Sequence, residues 1–323
     1  MVSPKQIYSG QDLAFIIPTK DRPIKIRAVL DSIVQQTIKC GRILVIDGGQ
    51  SVKEIVMSFS CTLPVEYYAC HPPGQIRQKK MGINLLDDRT PLVGFLDDDI
   101  VLEPQAIERL LSFWNKCEPE AAGVSFNIIN GAPQPKSWLR NFFDLSVAEP
   151  GRVLRSGMAT SNCQVTHNIR AQWVCGGATI WKQQILKDFP YREIASRWAI
   201  TEDLIYSYPI GKRFPLYVCA DAKVRHEHVI DYVAKMKHFY CGYTYTIWCF
   251  YFVESNPEFS RMFFLLTMLM GIVSRLIIGI FTFQMRHLEF SLGQLKGVIM
   301  GLVAISRAQD LSVLLNEVAN AQQ

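Results

Sequence analysis

Residues 92–100 read LVGFLDDDI, in which five mostly apolar residues run directly into three consecutive aspartates. Carboxylates on neighbouring residues raise one another's pKa and cost stability unless a cation lies among them. The nearest basic residue along the chain is Arg89, several positions away from Asp97, Asp98 and Asp99. The positive charge that this cluster needs must therefore come from outside the segment.

The segments around this stretch alternate between short apolar runs and patterns typical of helices. The apolar runs are LAFII (13–17), RILVI (42–46), VEYYA (65–69) and PLVGFL (91–96), and helices are predicted after Asp21, over 75–86 and over 104–116. Buried strands that alternate with helices indicate an α/β fold, in which a mainly parallel sheet carries right-handed crossover helices.

The chain beyond residue 130 is less regular. It contains a variable loop region (131–170), a strand broken by two glycines (QWVCGGATIW, 172–181), a loop that leads into a helix (198–210) and a late strand pair (PLYVCADAKVRHEH, 215–228). Paired glycines inside an apolar strand suggest that another group approaches the backbone closely. We therefore expect such a group to lie against Gly176 and Gly177.

Acidic residues follow three of the predicted strands. Asp21 comes shortly after the first, Asp47 directly after the second, and the Asp97–Asp99 run directly after the fourth. The carboxyl ends of parallel strands meet at one edge of the sheet, where ligands bind in α/β folds. A single acid at such a position is often a helix cap, but three strand ends at one edge favour a binding site.

The bulk composition excludes several classes of protein. In 323 residues the hydrophobic share is 49% and the charged share 20%, which rules out a disordered chain. The formal net charge is +5, and the basic group Arg77, Lys79 and Lys80 is too small for a nucleic-acid surface. Nine cysteines stand singly without C-x-x-C spacing, which indicates reduced thiols in a cytosolic compartment, and we expect no secretory signal.

A divalent metal ion would supply the charge that the Asp97–Asp99 run lacks. Mg²⁺ and Mn²⁺ prefer oxygen ligands and are commonly held by one or two carboxylates together with substrate phosphates. Two other motifs do not fit, because the chain has no G-x-x-x-x-G-K-[ST] run and Ile100 breaks the pattern of an EF-hand loop. A metal that bridges a diphosphate would act as a Lewis acid on a departing nucleotide.

Two further polar groups are candidates for chemistry. Glu202 and Asp203 lie in the first turn of a predicted helix, where the helix dipole alone stabilises carboxylates. The functional interpretation is a general base that takes a proton from an attacking hydroxyl group. His226 is either a third metal ligand or a surface histidine in a charged turn.

Seven segments follow one another in the order and spacing of a known family. They are IIPTKDRP (16–23), VIDGG (45–49), GQIRQKKMGINLL (74–86), FLDDDI (95–100), CGGATIW (175–181), TEDLIYSYPIGKRFPLYVCADAKVRH (201–226) and LKGVIMGL (295–302). Together they resemble glycosyltransferase family 2, whose members are inverting nucleotide-sugar transferases of the GT-A fold. The resemblance implies a Rossmann-like GT-A catalytic domain over 1–230, with a nucleotide-binding half at 12–130 and an acceptor half at 131–230.

The resemblance also implies roles for individual residues. Asp203 would be the general base with Glu202 beside it, and Gly176 and Gly177 would line the donor sugar and the acceptor. The ligands of a Mg²⁺ or Mn²⁺ ion would be Asp97, Asp99 and His226, and the donor nucleotide would contact Pro18, Thr19, Asp21, Asp47, Arg77, Lys79, Asp97 and Asp98. One departure from the family is Lys79-Lys80, where Arg-Asn is common, and another is Cys241-Gly242-Tyr243, where relatives often carry Arg-Asn.

The last part of the chain, 231–323, is rich in apolar residues. HFYCGYTYTIWCFYF (238–252) precedes RMFFLLTMLMGIVSRLIIGIFTF (261–283), whose longest uncharged stretch is 13 residues. A helix that spans a bilayer needs roughly 20 apolar residues. Three interpretations stay open: helices that pack on the catalytic domain, a true transmembrane span, and helices that lie in one leaflet. We favour the leaflet, with Arg261, Arg275, Arg286 and Lys296 reaching lipid headgroups. Gly293, Gly297 and Gly301 form a face for close helix packing.

The predicted activity is metal-assisted, inverting transfer of a sugar from a nucleotide-diphosphate sugar to a hydroxyl group. The acceptor would be a glycan or a lipid-linked saccharide, and the enzyme would be attached to the cytoplasmic face of the cell membrane. Two other classes stay open: a sugar nucleotidyltransferase and a non-catalytic, membrane-bound sugar-binding or scaffold protein. The first needs a glycine-rich first loop, which PTKDRP is not, and the second would be free to lose Asp203.

Overall fold

One nine-stranded sheet carries the predicted acidic edge in this computed structural model, which describes residues 6–131, 149–191, 201–227 and 238–320. In chain order the strands are β1 (Leu13–Thr19), β2 (Arg42–Asp47), β3 (Val65–Ala69), β4 (Leu92–Leu96), β5 (Ile100–Leu102), β6 (Gly123–Ile128), β7 (Ile169–Ala171), β8 (Ala178–Lys182) and β9 (Leu216–His226). Residues 132–148 of the predicted variable loop region (131–170) and the predicted domain boundary near residue 230 lie outside the described residues.

The first six α-helices of the described residues belong to the region of the sheet, and the last four follow its last strand in sequence. They are α1 (Pro23–Val34), α2 (Lys53–Met57), α3 (Gln75–Asn84), α4 (Ala106–Trp114), α5 (Gln183–Asp188), α6 (Glu202–Gly211), α7 (His238–Glu254), α8 (Arg261–Thr282), α9 (Met285–Ser306) and α10 (Leu311–Asn320). The last four, α7 to α10, form the apolar C-terminal region predicted from the sequence.

The strand order is β3-β2-β1-β4-β8-β6-β9-β5, and β7 pairs with β9. The strands β3, β2, β1 and β4 are parallel, whereas β8 is antiparallel to both β4 and β6. The carboxyl ends of the four parallel strands therefore lie at one edge, where ligands bind in such sheets. The predicted mixed, mainly parallel α/β fold with flanking helices is confirmed.

The stretch LVGFL forms β4, which lies in the middle of the sheet between β1 and β8. All five of its residues are buried, and so are all seven residues of β1, because the sheet is covered on both faces. Gly94 lets a phenyl ring lie against the backbone, since a Cβ there would be 2.4 Å from Phe15 Cδ1. This packing fixes where β4 ends and where the aspartates begin.

The strand expected over 172–181 is shorter in the structure. It begins only at Ala178, and Gly176 and Gly177 form a turn before it. Acidic side chains from two other segments lie directly against these glycines, where a Cβ atom would not fit. The prediction of close approach at the glycines is confirmed, and the prediction of a strand through them is wrong.

The strand pair expected over 215–228 is a single strand. β9 runs to His226, pairing in parallel with β6 and in antiparallel fashion with β5. The register with β6 shifts between Phe126, which pairs with Cys219, and Asn127, which pairs with Lys223, so β9 carries extra residues at this point and pairs with β6 on both sides of them. His228 lies outside the described residues.

The predicted glycine face of α9 packs against α7. A Cβ at Gly293 would lie 1.9 Å from the carbonyl oxygen of Phe239, and one at Gly297 would lie 2.6 Å from Thr246 Cβ. Gly242 of α7 meets the backbone of α9 in the same way. Small residues on both helices therefore let the two backbones approach closely.

Helices α8 and α9 are each 22 residues long, which corresponds to about 33 Å. An 18-residue window within each helix has a mean hydropathy of 2.2 in α8 and 1.5 in α9, so by length and composition alone both helices are long and apolar enough to cross a membrane. Arg275 interrupts the apolar run of α8 but not the helix, so a bilayer span stays an alternative to attachment in one leaflet.

Arg275 is directed toward α9 and not toward the exposed side of α8. Its Nη1 donates a hydrogen bond to Gln294 Oε1 at 3.1 Å, and its guanidinium lies 4.7 Å from the centre of the Phe290 ring. Arg261 pairs with Glu254 at 2.6 Å. The exposed side of α8 instead carries apolar residues, namely Met262, Leu266, Leu269, Val273, Ile277 and Ile280. The structure thus assigns Arg275 to helix packing, which corrects its predicted contact with headgroups.

Gly293→Ala is expected to destabilise the contact of α9 with α7, because the new Cβ meets a backbone carbonyl that cannot rotate away. We expect the midpoint of thermal unfolding to fall by the equivalent of about 1–3 kcal/mol. Gly271→Ala in α8 is the matched control, since a Cβ there would lie 3.7 Å from its nearest neighbour and alanine favours a helix. An unchanged midpoint for Gly293→Ala would contradict the α7–α9 contact.

Candidate active site

The three aspartates that follow β4 receive positive charge from two distant segments. Arg22, in the loop between β1 and α1, places Nη1 2.7 Å from Asp98 Oδ1 and 3.4 Å from Asp99 Oδ2. His226, the last residue of β9, places Nε2 3.0 Å from Asp99 Oδ1. Arg89, the nearest basic residue along the chain, pairs with a different acid two residues before it. The positive charge beside the three aspartates therefore comes from residues that only the fold brings close to them.

Asp98 is buried and ties the loop after β1 to the end of β4. It accepts hydrogen bonds from Thr19 Oγ1 at 2.8 Å and from Arg22 Nη1 at 2.7 Å. Burial raises the pKa of the Asp98 carboxyl group to about 6, although Arg22 and Thr19 both act to lower it. These contacts are structural, and the predicted contact of Asp98 with a donor nucleotide stays a prediction.

Asp97, Asp99 and His226, the predicted metal ligands, come together at this edge. One ligand atom from each residue lies within 4.8 Å of the others. Burial lowers the pKa of the His226 imidazole, but its hydrogen bond to Asp99 and the negative charge there outweigh burial and raise the pKa overall. Carboxylate oxygens suit Mg²⁺ and Mn²⁺, so the residues present fit a divalent ion.

The loop after β1 holds three of the predicted nucleotide-binding residues. Pro18 and Thr19 are the last two residues of β1, and Asp21 has a positive φ of 55° in the loop that follows. Asp21 Oδ1 accepts a hydrogen bond from the backbone N–H of Gln50 at 2.7 Å. This bond joins the loops after β1 and β2, so the two act as one surface at the sheet edge.

Asp47, the last residue of β2, is almost fully buried, at 1% exposure. Its carboxylate accepts hydrogen bonds from the N–H groups of Gly49 at 2.9 Å and Val52 at 3.0 Å, and from the Tyr67 hydroxyl at 3.0 Å. These bonds hold the VIDGG loop in shape. A contact between Asp47 and a nucleotide base stays a prediction.

Gln78 of α3 contributes to this edge without any signal in the sequence. Its Nε2 donates hydrogen bonds to the carbonyl oxygens of Thr19 at 2.9 Å and Ile46 at 2.6 Å, which joins the ends of β1 and β2. In the sequence QIRQKK, Gln78 is surrounded by charged residues, a pattern that predicts a surface side chain. Arg22 is a similar case, because it lies in PTKDRP, 76 positions from Asp98.

The two predicted cations of α3 lie in different places. Lys79 is fully buried, and its Nζ lies 3.3 Å from both carboxylate oxygens of Glu202 and 3.2 Å from the carbonyl oxygen of Gly176. Arg77 is half-buried and donates a hydrogen bond to the carbonyl oxygen of Pro72 at 3.2 Å. Lys79 therefore contacts the predicted catalytic pair, and Arg77 contacts the loop before α3.

Asp203 lies in the first turn of α6, as the sequence predicts. Its Oδ1 accepts a hydrogen bond from the N–H of Leu204 at 2.8 Å, and the side chain is partly exposed. Burial raises the pKa of the Asp203 carboxyl group; Lys79 opposes the rise and Asp97 adds to it. The pKa of Glu202 is also raised, because burial outweighs its ion pair with Lys79.

The Gly176–Gly177 turn lies between the two acidic groups. A Cβ at Gly176 would be 3.1 Å from Asp203 Cβ, and one at Gly177 would be 2.0 Å from Asp97 Oδ2. The N–H of Asp97 also donates a hydrogen bond to the carbonyl oxygen of Gly177 at 2.9 Å. The start of α6 and the end of β4 therefore meet across two residues that have no side chains.

The sequence profile of Glycosyl transferase family 2 matches residues 14–188, which is more than half of the chain. The match begins in β1, includes the Asp97–Asp99 run and both glycines of the turn, and ends with α5. No curated protein matches the sequence.

Several solved structures resemble this chain at low sequence identity. The mannosyltransferase PcManGT from Pyrobaculum calidifontis, in complex with GDP-Man and Mn²⁺, has a TM-score of 0.58 and 12% identity, covering 92% of this chain and 89% of its own. S. aureus TarS 1–349 has a TM-score of 0.54 and 14% identity, covering 96% of this chain and 92% of its own. In a longer TarS structure the chain spans only 39% of the protein. At these identities the likeness establishes a common fold.

The family profile covers four parallel strands and all three of the acidic segments that follow them. The solved structures independently share the arrangement of the sheet and its helices. The resemblance seen in the sequence is thereby confirmed: the chain belongs to glycosyltransferase family 2 and has the GT-A fold.

Proposed function

We propose that this enzyme transfers a sugar with inversion from a nucleotide-diphosphate sugar to a hydroxyl group, with Asp203 as the general base. The observation that carries the proposal is the position of Asp203 across the Gly176–Gly177 turn from Asp97. The two glycines would leave room there for the donor sugar and the attacking hydroxyl group. No observation favours the alternatives of a sugar nucleotidyltransferase or a non-catalytic sugar-binding protein.

The reaction is a single displacement at the anomeric carbon. The acceptor oxygen forms a bond to that carbon while the bond to the diphosphate oxygen breaks, and its electron pair leaves with the diphosphate. The proton of the acceptor hydroxyl group passes to Asp203, with Glu202 beside it. The raised pKa of Asp203 supports this role, because a general base is most effective when its pKa lies near the working pH.

Asp97, Asp99 and His226 would hold Mg²⁺ or Mn²⁺. When bound, the ion supplies Lewis-acid stabilisation of the negative charge on the leaving diphosphate. The grouping of the three side chains within 4.8 Å supports this site, and PcManGT was solved with Mn²⁺. Contacts to the donor nucleotide are proposed for Pro18, Thr19, Asp21, Asp47, Arg77, Asp97 and Asp98.

The acceptor is proposed to be a lipid-linked saccharide or another glycan at the cytoplasmic face of the cell membrane. Helix α6, which carries Asp203, packs through Leu204 and Tyr208 on Phe252 of α7, and the rings of Tyr208 and Phe252 are 5.5 Å apart. The proposed base therefore lies close to the apolar C-terminal helices. We propose that residues 1–230 form the catalytic domain and that 231–323 attach it to the membrane.

The connection between α8 and α9 supports membrane attachment. Phe281 in the last turn of α8 is 80% exposed, Phe283 in the connection is 92% exposed, and Met285 at the start of α9 is 64% exposed. Large exposed apolar surfaces mark sites of contact with membranes or proteins, and apolar segments flanked by basic residues enter one leaflet. Arg286 follows directly, so the tip of this helix pair is proposed to enter the leaflet.

Asp203→Asn is expected to lower turnover by about 10²–10⁴-fold, because an amide cannot accept the proton. Turnover is measured with Mn²⁺ as release of nucleoside diphosphate, using the donor that the wild-type enzyme consumes from a panel of UDP-, GDP- and TDP-sugars. Donor binding should stay near the wild-type value. Wild-type turnover in this variant would remove Asp203 from the role of base.

The same variant has a pH signature and a folding control. Asp203 acts as a base only when ionised, so kcat/KM of the wild-type enzyme should fall as the pH drops through the raised pKa of this group. Because that pKa is raised in the folded state, ionised Asp203 costs folding free energy at neutral pH. Asp203→Asn should therefore unfold at a temperature no lower than the wild-type protein.

Phe281→Asp/Phe283→Asp is expected to weaken attachment to vesicles of phosphatidylcholine and phosphatidylglycerol, because charged side chains do not enter the hydrocarbon region. The measurement is flotation of the purified protein with the vesicles on a density gradient. Ile7→Asp is the matched control, since Ile7 is 78% exposed and lies far from these helices in the sequence. A wild-type protein that does not float with the vesicles would contradict the proposal.

A further inference from the structure

Lys79 is the only buried lysine among the residues that the structure describes, with no exposed surface at all. A buried ammonium group is costly unless charge and hydrogen bonds compensate for the lost water. Burial alone would lower the pKa of Lys79, but the charges of Glu202 and Asp97 outweigh it and raise the pKa, so the group stays charged. The fold thus maintains a cation at a place where a diphosphate cannot reach it from solvent.

The ammonium group has no donor left for a ligand. Its three N–H groups are matched by three acceptors, the two carboxylate oxygens of Glu202 at 3.3 Å and the carbonyl oxygen of Gly176 at 3.2 Å. The rings of Phe95 and Tyr191 enclose it, with centres at 5.4 Å and 5.8 Å from Nζ. Lys79 therefore joins α3 to the first residue of α6 and to the glycine turn.

Those two attachment points determine where Asp203 lies. Glu202 is its neighbour in the first turn of α6, and Gly176 packs directly against it. The residue before Glu202, Thr201, has a positive φ of 61°. A segment that enters its helix through such a residue needs a tertiary contact to hold its start in one position.

We propose that Lys79 is a positioning residue, which fixes the start of α6 and the glycine turn so that Asp203 faces the acceptor hydroxyl group. This role replaces the donor contact predicted from the sequence, and it rests on the proposed function of Asp203 as base. Lys79 acts through Glu202 and Gly176 and does not touch the substrate. The acidic and thiol groups that face Asp203 together with Lys79 are Asp97, Glu202, Cys163 and Cys175.

The test compares Lys79→Arg with Lys79→Met/Glu202→Gln. The double variant removes both charges at once, because Lys79→Met alone would leave Glu202 as an unpaired buried carboxylate and destabilise the fold. A misplaced base costs turnover on the order of 100-fold, so we expect a kcat loss of that size in the double variant. Lys79→Arg, which keeps the charge, should recover part of it.

Binding separates this role from a donor contact. The affinity for UDP and GDP in the presence of Mn²⁺, measured by calorimetry, should be the same in the wild-type and double-variant proteins. A fall in nucleotide affinity that matches the fall in kcat/KM would overturn the proposal and make Lys79 a donor ligand. Unchanged kcat in the double variant would overturn it as well.

Two controls distinguish this proposal from the role of Asp203 itself. Adding Asp203→Asn to the double variant should lower kcat no further than Asp203→Asn alone, because both changes act through one carboxylate. Hydrogen exchange over 201–211 should be faster in the double variant than in the wild-type protein, with β1 and β2 unaffected, and this readout needs no activity. Equal exchange over 201–211 would overturn the proposal even if Asp203 is the base.

Discussion

The repulsion among five carboxylates at one edge of the sheet is the constraint on which the active site depends. They belong to Asp97, Asp98, Asp99, Glu202 and Asp203. Arg22 and Lys79 lie among them at 2.7–3.4 Å and neutralise part of the charge. Burial raises the pKa values of Asp98, Glu202 and Asp203, and the neighbouring carboxylates add to the rise. An edge with surplus negative charge and a partly exposed Asp97 favours a divalent cation, which the proposed chemistry requires.

The architecture that creates this edge is predictable from the sequence because local patterns determine it. VEYYA coincides with β3, and α1 begins at Pro23, where proline is favoured in the first turn. Since parallel strands share an edge, the acids that follow them can be assigned to one site from the order of the strands alone. The order of motifs then indicates the family, which the profile match over 14–188 confirms.

The contacts that make the acidic edge stable are not predictable from local patterns. Arg22 meets Asp98 across 76 positions, and Lys79 meets Glu202 across 123. Residues so far apart form no periodic pattern or short motif. The cations that neutralise the aspartates of LVGFLDDDI therefore cannot be identified from the sequence around that stretch. The sequence also predicts a strand where the structure has the glycine turn. The apolar residues on both sides of Gly176 and Gly177 favour a strand, and the contacts with Asp97 and Asp203 come from distant segments.

The most direct test of this account is an anomalous-difference map from crystals grown with Mn²⁺ and the nucleoside diphosphate that the protein binds. We predict one strong peak within coordination distance of Asp97, Asp99 and His226, on the side of the glycine turn opposite Asp203. A peak elsewhere in the molecule, or an empty edge at saturating Mn²⁺, would contradict the claim that these carboxylates gather around a single cation.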